Sequence, residues 1–534
     1  MAKVRFLDSW KDRHETSWGT LRSEFHARNY QAPTNLAGVR LSLRTLDRLP
    51  ASVARPKFSP AELTRGIIHL GCGSFHRAHQ ALLTQHVMNE NGDLRWGIES
   101  VAISSKSVVG AMQAQDNIYT VLFADSESKS VEVVGSIGWT VHSPTDDIGV
   151  PHRIASPQTK IVTLTVTEGG YCISPVSGRL ELNSPQVCYD LAHTNRPAGV
   201  IGMVARGLDL VRLRGGRPPV IMSCDNMVGN GTRLRQAVID FAANSDDALA
   251  EWIGRNVQFP SSAVDRIVVP PSESDLTAVQ QLLGGTEDRV PVVAEPFMNW
   301  IIEDIDGERP EWERAGVRFV SDANCYASGK LRLLNGTQIL LAYVGALAGY
   351  RTIGEAIADP VLGAMAYQFM LTEQGPTLAM PPDELAHVAR DLVKRFSNPA
   401  LCHEITRVGR NASAKLALRI TDPMRENMTA GRMTPFAALF LACWISGFIT
   451  GSDASGCLSA VVESRRNELT SLAMANAHDP LRLAQAFVRR SGIFGELFVS
   501  ESLERQIADT LDELWTDDTI AVAGRRLLPD LHWK

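Results

Sequence analysis

The sequence predicts an α/β N-terminal half built on a mostly parallel sheet, followed by a mainly α-helical C-terminal half. Three observations predict it. Short apolar, β-branched runs alternate with helical patterns up to about residue 310, as βαβ units require. A glycine turn in "HLGCGSFHRAHQ" joins the first of these runs to a helix. Beyond residue 310 the β-branched runs stop and longer stretches of helical character take over. A chain of 534 residues exceeds what one core serves. We therefore expect a polar extension over residues 1–40, an α/β domain over 41–310 and a helical domain over 311–534.

Each element follows from local composition. "RGIIHLGCGSFHRAHQALLTQHV" reads as strand, tight turn and helix, and "WGIESVAIS" as a second strand. "YTVLFADSESKSVEVVGSIGW" reads as a hairpin pair. "KIVTLTVTEGGYC" and "PPVIMSCDNMV" are further buried strands followed by loops or helices. In the second half, "LRLLNGTQILLAYVGALAGY", "GEAIADPVLGAMAYQFML", "PPDELAHVARDLVKRF" and "TPFAALFLACWISGFI" all read as helices.

Composition narrows the function classes. Hydrophobic residues make up 44% and charged residues 21%, which is ordinary for a globular protein. A formal charge of −6 without any basic run supplies no field for nucleic acid or an anionic membrane surface. No stretch approaches the length of a transmembrane helix, and the charged N-terminal residues lack the apolar core of a signal peptide. The eight cysteines form no C-x-x-C pair, which fits reduced thiols in a cytoplasmic protein. His76, His79 and His86 lack partner ligands at metal spacing, so no metal is expected.

Two segments carry chemistry. Gly71 and Gly73, followed by Ser74, Phe75, His76, Arg77 and Ala78, form a strand-to-helix turn able to hold a pyrophosphate on backbone N–H groups. A plain structural turn needs the same glycines. Where such folds place an acidic residue on the adenosine ribose, this chain has Ser104, Ser105 and Lys106. Those groups permit a 2′-phosphate as well as a 2′-hydroxyl, and an ordinary polar loop has the same composition. The second segment is "KLRLLNGTQ". At about 100° per residue, Asn335 falls about 140° and Gln338 about 80° from Lys330. A lysine and two amides on one side of a helix suit a hydroxyl and its proton. A solvent-seeking lysine with two locally bonded amides would look the same.

The order of "HLGCGSFHRAHQA", "TLTVTEGGYC", "SCDN", "FPSSAVDRI", "VVAEPFMNWIIED" and "KLRLLN" resembles the mannitol dehydrogenase family of polyol-specific long-chain dehydrogenases, from about residue 40 onward. The resemblance implies a Rossmann-type N-terminal domain, a helical C-terminal domain, and metal-independent, NAD- or NADP-linked interconversion of a secondary alcohol and a ketone. The substrate would be a sugar alcohol, ketose or hexuronate of the fructuronate/mannonate or fructose/mannitol type. It points to Lys330, Asn335 and Asn226 as catalytic. It points to Asp265, Arg407 and Lys415 as substrate ligands, with Gln338 at a substrate-facing position. Chemistry agrees: the hydroxyl proton needs a base, and the developing alkoxide needs donors. Members of this family are often monomers.

The chain departs from the family signature K-x(4)-N-x(2)-H at Gln338, which stands in place of histidine. Ala327 stands where many members carry glutamate. Glutamine can hydrogen bond a hydroxyl but cannot titrate. These two departures favour the alternative, a vestigial nucleotide or sugar-acid binding protein. Retention of Lys330, Asn335 and Asn226 favours the enzyme.

Overall fold

The computed structural model describes residues 38–125, 128–174, 177–449, 457–494 and 500–527. Nearly all of the expected extension over residues 1–40 lies outside the described residues. The strands, in chain order, are β1 (Arg65–Leu70), β2 (Gly97–Ala102), β3 (Tyr119–Ala124), β4 (Lys129–Val134), β5 (Ile137–His142), β6 (Ile161–Leu164) and β7 (Val220–Ser223). They continue with β8 (Ser262–Asp265), β9 (Val268–Val269), β10 (Val292–Ala294), β11 (Asn299–Glu303) and β12 (Arg318–Val320).

The first unit is a Rossmann-type α/β fold. Five strands form one sheet in the order β5-β2-β1-β6-β7, every neighbouring pair parallel. Parallel strands need crossover segments, and helices such as Gln80–Asn91 and Val200–Leu213 supply them. The sheet is buried on both faces, which is why its strands read as continuous apolar runs rather than alternating ones. Ile67 and Ile68, adjacent in β1, pack into separate apolar clusters on opposite faces. The order reverses at β1, and its C-terminal end is where such sheets hold ligands.

The hairpin reading holds for β3 and β4, which pair antiparallel from Tyr119↔Val134 to Ala124↔Lys129. The continuation "GSIGW" leaves that hairpin. As β5 it joins the parallel sheet beside β2, whereas β3 and β4 belong to a second sheet ordered β4-β3-β10-β9.

The chain divides into compact units after Ala327, not at residue 310. Residues 311–327 stay with the α/β unit for two reasons. Trp312 is fully buried, its ring 4.8 Å from that of Trp300 and its indole N–H donated to Thr84 Oγ1 at 3.0 Å. Strand β12 then pairs with β11.

The second unit, from Ser328, is mostly helical. Its helices Thr337–Leu347 and Pro435–Ser446 are buried over almost their whole circumference. Such helices need neighbours on all sides, and they account for the most apolar stretches of the sequence. Among the described residues the unit also contains three π-helical segments, Lys330–Gly336, Met370–Gln374 and Ala417–Thr421. The reading of residues 330–347 as one α-helix is therefore corrected: its first seven residues are wound with i→i+5 bonding.

Candidate active site

In the α/β unit, the turn after β1 requires glycine at one position and leaves open space at the other. Gly71 has φ +117°, and a Cβ there would lie 2.1 Å from the Thr165 carbonyl oxygen. Only glycine fits both the backbone angle and the contact. Gly73 has no atom within 4 Å of where its Cβ would stand. Ser74–Ala78 follows as a short helix without a side-chain cap, so its first amides remain available to an anionic group. An open face above uncapped amides fits a dinucleotide pyrophosphate.

Within that helix the side chains turn inward. His76, Arg77 and Ala78 are buried, and Arg77 donates to the Val290 carbonyl at 2.5 Å. These three can therefore offer a ligand only main-chain groups. His76 stacks flat on His69 with ring centroids 3.4 Å apart, and both its ring nitrogens are enclosed without hydrogen bonds. Burial holds His69 down at about 3 and His76 well below the ordinary histidine value. Both imidazoles are neutral. Phe75 is partly buried and stacks on His79 at 5.1 Å, and Ser74 Oγ lies 3.5 Å from Arg77. After β2, Ser104, Ser105 and Lys106 are exposed.

The histidines at 76, 79 and 86 serve different neighbours: His79 meets the Asn299 carbonyl and His86 the Glu132 carboxylate. Among the described residues no group of three His, Cys, Asp or Glu side chains is placed to hold a metal ion. No described helix is long and apolar enough to cross a membrane.

At the ends of β6 and β7 the structure assembles a network that sequence reading passed over. The Asp225 carboxylate accepts the Val166 and Thr167 amides at 2.9 and 3.1 Å and the Tyr171 hydroxyl at 2.7 Å. Burial raises its pKa from the ordinary aspartate value, against the pull of these hydrogen bonds. Thr167 is held at φ +66°, a costly angle for a β-branched residue, and these bonds oppose its relaxation. Asn226 follows Asp225 directly and is exposed. Asn230 donates to the Asp225 carbonyl at 3.0 Å and to the Ser262 carbonyl at 2.9 Å, tying the Asn226 turn to β8, which ends in half-buried Asp265. The signal was present in "SCDN" and "TEGGY", but nothing local shows that the aspartate turns inward.

In the helical unit, the π-turn changes the geometry of the signature. Five residues separate Lys330 from Asn335, which in an α-helix would set them about 140° apart. With i→i+5 bonding, Asn335 instead stands one turn above Lys330. Gln338, three residues further along the α-helix that follows, continues the same side. Lys330 and Asn335 are half-buried and Gln338 is 5% exposed. The carbonyl oxygen of Asn335 is enclosed without a donor.

The π-turn is held by its neighbours. A Cβ on Gly336 would lie 2.9 Å from the Arg419 carbonyl, in the third π segment. Gln374, at the end of the second, donates its amide to that same carbonyl at 3.0 Å. The three irregular segments thus meet at Gly336, where a side-chain amide satisfies a carbonyl. Arg332 adds a two-pronged ion pair to Glu426 at 2.7 and 2.8 Å.

Gln338 Nε2 lies 3.4 Å from Nδ1 of His403, a residue the sequence reading did not single out. Burial and the Arg407 charge hold the His403 imidazole down at about 4, so it is neutral. Arg407 is exposed on the helix Ile405–Val408, and Lys415 Nζ donates to the Arg410 carbonyl at 2.5 Å. The structure thus gathers Gln338, His403 and Arg407. Ala327, where glutamate was expected, is 7% exposed and has no group to move a proton.

Two family models match the chain: the mannitol dehydrogenase Rossmann domain over residues 65–314 and the mannitol dehydrogenase C-terminal domain over residues 322–515. The chain belongs to the mannitol dehydrogenase family. It is accordingly an oxidoreductase acting on CH–OH groups. It is 38% identical to D-mannonate oxidoreductase of Escherichia coli over 83% of this chain and 92% of that protein. It is 34% identical to mannitol 2-dehydrogenase of Aspergillus clavatus over 84% of this chain and 92% of the relative. A solved structure of Pseudomonas fluorescens mannitol 2-dehydrogenase, a ternary complex with NAD and D-mannitol, matches with a TM-score of 0.85 and 32% identity. That match covers 92% of this chain and all of that one.

Proposed function

We propose that the chain is an NAD(P)-dependent reductase of a hexuronate ketose, with D-mannonate or a related sugar acid as the reverse substrate. A neutral ketose of the fructose type is the nearest alternative. The observation that carries this reading is the π-turn stacking Asn335 over Lys330, with Arg407 acting on the His403 ring that meets Gln338. The nicotinamide cofactor, when bound, supplies or takes the hydride.

Lys330 is the general base in oxidation and the acid in reduction, exchanging the proton of the reacting hydroxyl. Asn335 donates an amide N–H to the oxygen that becomes an alkoxide. A preorganised donor of this kind contributes about 2.7–4 kcal/mol to lowering the barrier. The Arg407 guanidinium, with Lys415 on the same segment, suits a carboxylate. Asn226 as an amide donor and Asp265 as a substrate ligand complete the assignment. The turn at Gly71 and Gly73, with the amides of residues 74–78, holds the cofactor phosphates, and Ser104, Ser105 and Lys106 receive its ribose. Similarity to a protein crystallised with NAD and D-mannitol supports NAD as the first cofactor to test.

The test is oxidation of NADH and NADPH by the purified protein with fructuronate, tagaturonate, fructose and xylulose. Turnover of a uronate at least ten times more efficient than of fructose is expected. Preference for fructose would move the assignment to a neutral ketose.

A further inference from the structure

Gln338 is an amide on the Lys330 and Asn335 face, and among the described residues its side chain meets an imidazole ring. A primary amide N–H only donates, so the 3.4 Å contact with His403 makes Nδ1 of that ring an acceptor. A neutral imidazole accepting at Nδ1 carries its hydrogen on Nε2. The Nε2–H tautomer of His403 is thus the one in which this bond to Gln338 forms. Among the described residues His403 Nε2 has no hydrogen-bond partner, and it is not sealed from solvent. The backbone around the ring is pinned: the His403 amide donates to Leu401 O at 2.8 Å, and its carbonyl accepts from Ile353 at 3.0 Å. A half-buried ring in that tautomer, with an open N–H and an arginine close enough to act on it, has the features of a ligand-facing donor.

We propose that His403 is a substrate ligand whose Nε2–H donates to an oxygen of the sugar, with Gln338 as the positioning residue that sets its tautomer. The inference rests on the functional reading above. Its consequence is that the chain keeps an imidazole at this helical face although Gln338 cannot titrate. That ring comes from the segment preceding Arg407 rather than from the helix itself. His403 holds a hydrogen bond only; the proton of the reaction stays with Lys330.

The experiment uses the full-length protein labelled with ¹⁵N on histidine rings, alongside steady-state kinetics of His403→Phe, His403→Gln and Gln338→Met with D-mannonate and D-mannitol as probes. We expect the His403 ring to show the Nε2–H tautomer. Its Nε2 signal should move when the turned-over probe saturates the NAD-bound protein. His403→Phe should raise KM for that probe about 10-fold or more with kcat within about 3-fold. His403→Gln, which keeps an N–H donor, should recover most of the loss. Gln338→Met should leave the fold intact and mix the two tautomers. A wild-type enzyme that turns over a probe while the ring signal stays still, with KM unchanged in His403→Phe, overturns the role of His403 alone. A wild-type protein that turns over no sugar acid or polyol overturns the functional reading and this inference with it.

Discussion

The glycine turn after β1 and the π-turn at Lys330 solve the same kind of problem by opposite means. The first offers main-chain groups: Gly71 permits a backbone angle, Gly73 leaves a space, and the side chains of His76, Arg77 and Ala78 point into the core. The second offers side chains: a helical irregularity aligns a lysine with an amide that α-helical winding would set apart. A site made of backbone is written in glycine positions. A site made by irregular winding is written only in the contacts that sustain the irregularity.

The comparison breaks most severely at Lys330. Lys330→Ala should lower kcat by about 10²–10⁴-fold, the range a general acid–base group contributes. Nucleotide affinity by titration should stay within about 2-fold, because the lysine is not assigned to the cofactor. Unchanged turnover would remove it from the chemistry.

The next two effects separate the two glycines of the turn. Gly71→Ala forces a Cβ into the Thr165 carbonyl at φ +117° and should cost about 1–3 kcal/mol or more, read as a lowered Tm together with weakened nucleotide binding. Gly73→Ala meets nothing, so its Tm should stay within about 1 °C while nucleotide binding weakens. Equal destabilisation by both would contradict the open face at Gly73.

At the π-turn, Gly336→Ala presses on the Arg419 carbonyl and should cost about 1–3 kcal/mol. Its mark should be a loss of kcat with nucleotide affinity kept, the reverse of Gly73→Ala.

The smallest effects are in pH dependence, where the two regions should have opposite signs. Burial holds His69 at about 3 against an ordinary 6.5. The unfolded chain takes up a proton there that the folded chain refuses. Stability from that site is therefore present above pH 6.5 and lost as pH falls toward 3. Glu373, at the second π segment, is lifted by burial to about 8 from 4.5, although it accepts the Phe436 and Ala437 amides at 2.7 and 2.9 Å. Here the folded chain keeps a proton the unfolded chain has released, so stability falls as pH rises from 4.5 through 8. Denaturant midpoints against pH should show Glu373→Gln removing the loss of stability between pH 4.5 and 8 while leaving the slope below pH 4.5 unchanged.

Much of this was legible beforehand. Apolar runs alternating with helical patterns predict the parallel sheet that is observed, and the family motifs point to Lys330, Asn335 and Asn226 as the residues to test. The end of the α/β unit was misjudged because Trp312 and β12 look like loop until Trp300 and β11 are there to receive them. Asp225 escaped notice because a polar residue in a turn reads as exposed unless its amide partners at Val166 and Thr167 are known. His403 escaped because it lies 65 residues from Gln338.

The sequence by itself determined the strand runs, the glycine at position 71 and the identity of the signature residues, since each depends on the few residues around it. The tertiary structure alone decided that residues 330–336 wind as a π-helix and that a distant imidazole stands on Gln338. A π-turn is poor in isolation. Here Gly336 leaves room for the Arg419 carbonyl of a distant segment, and Gln374 satisfies that carbonyl, so the packing around the turn comes from residues far apart in the chain.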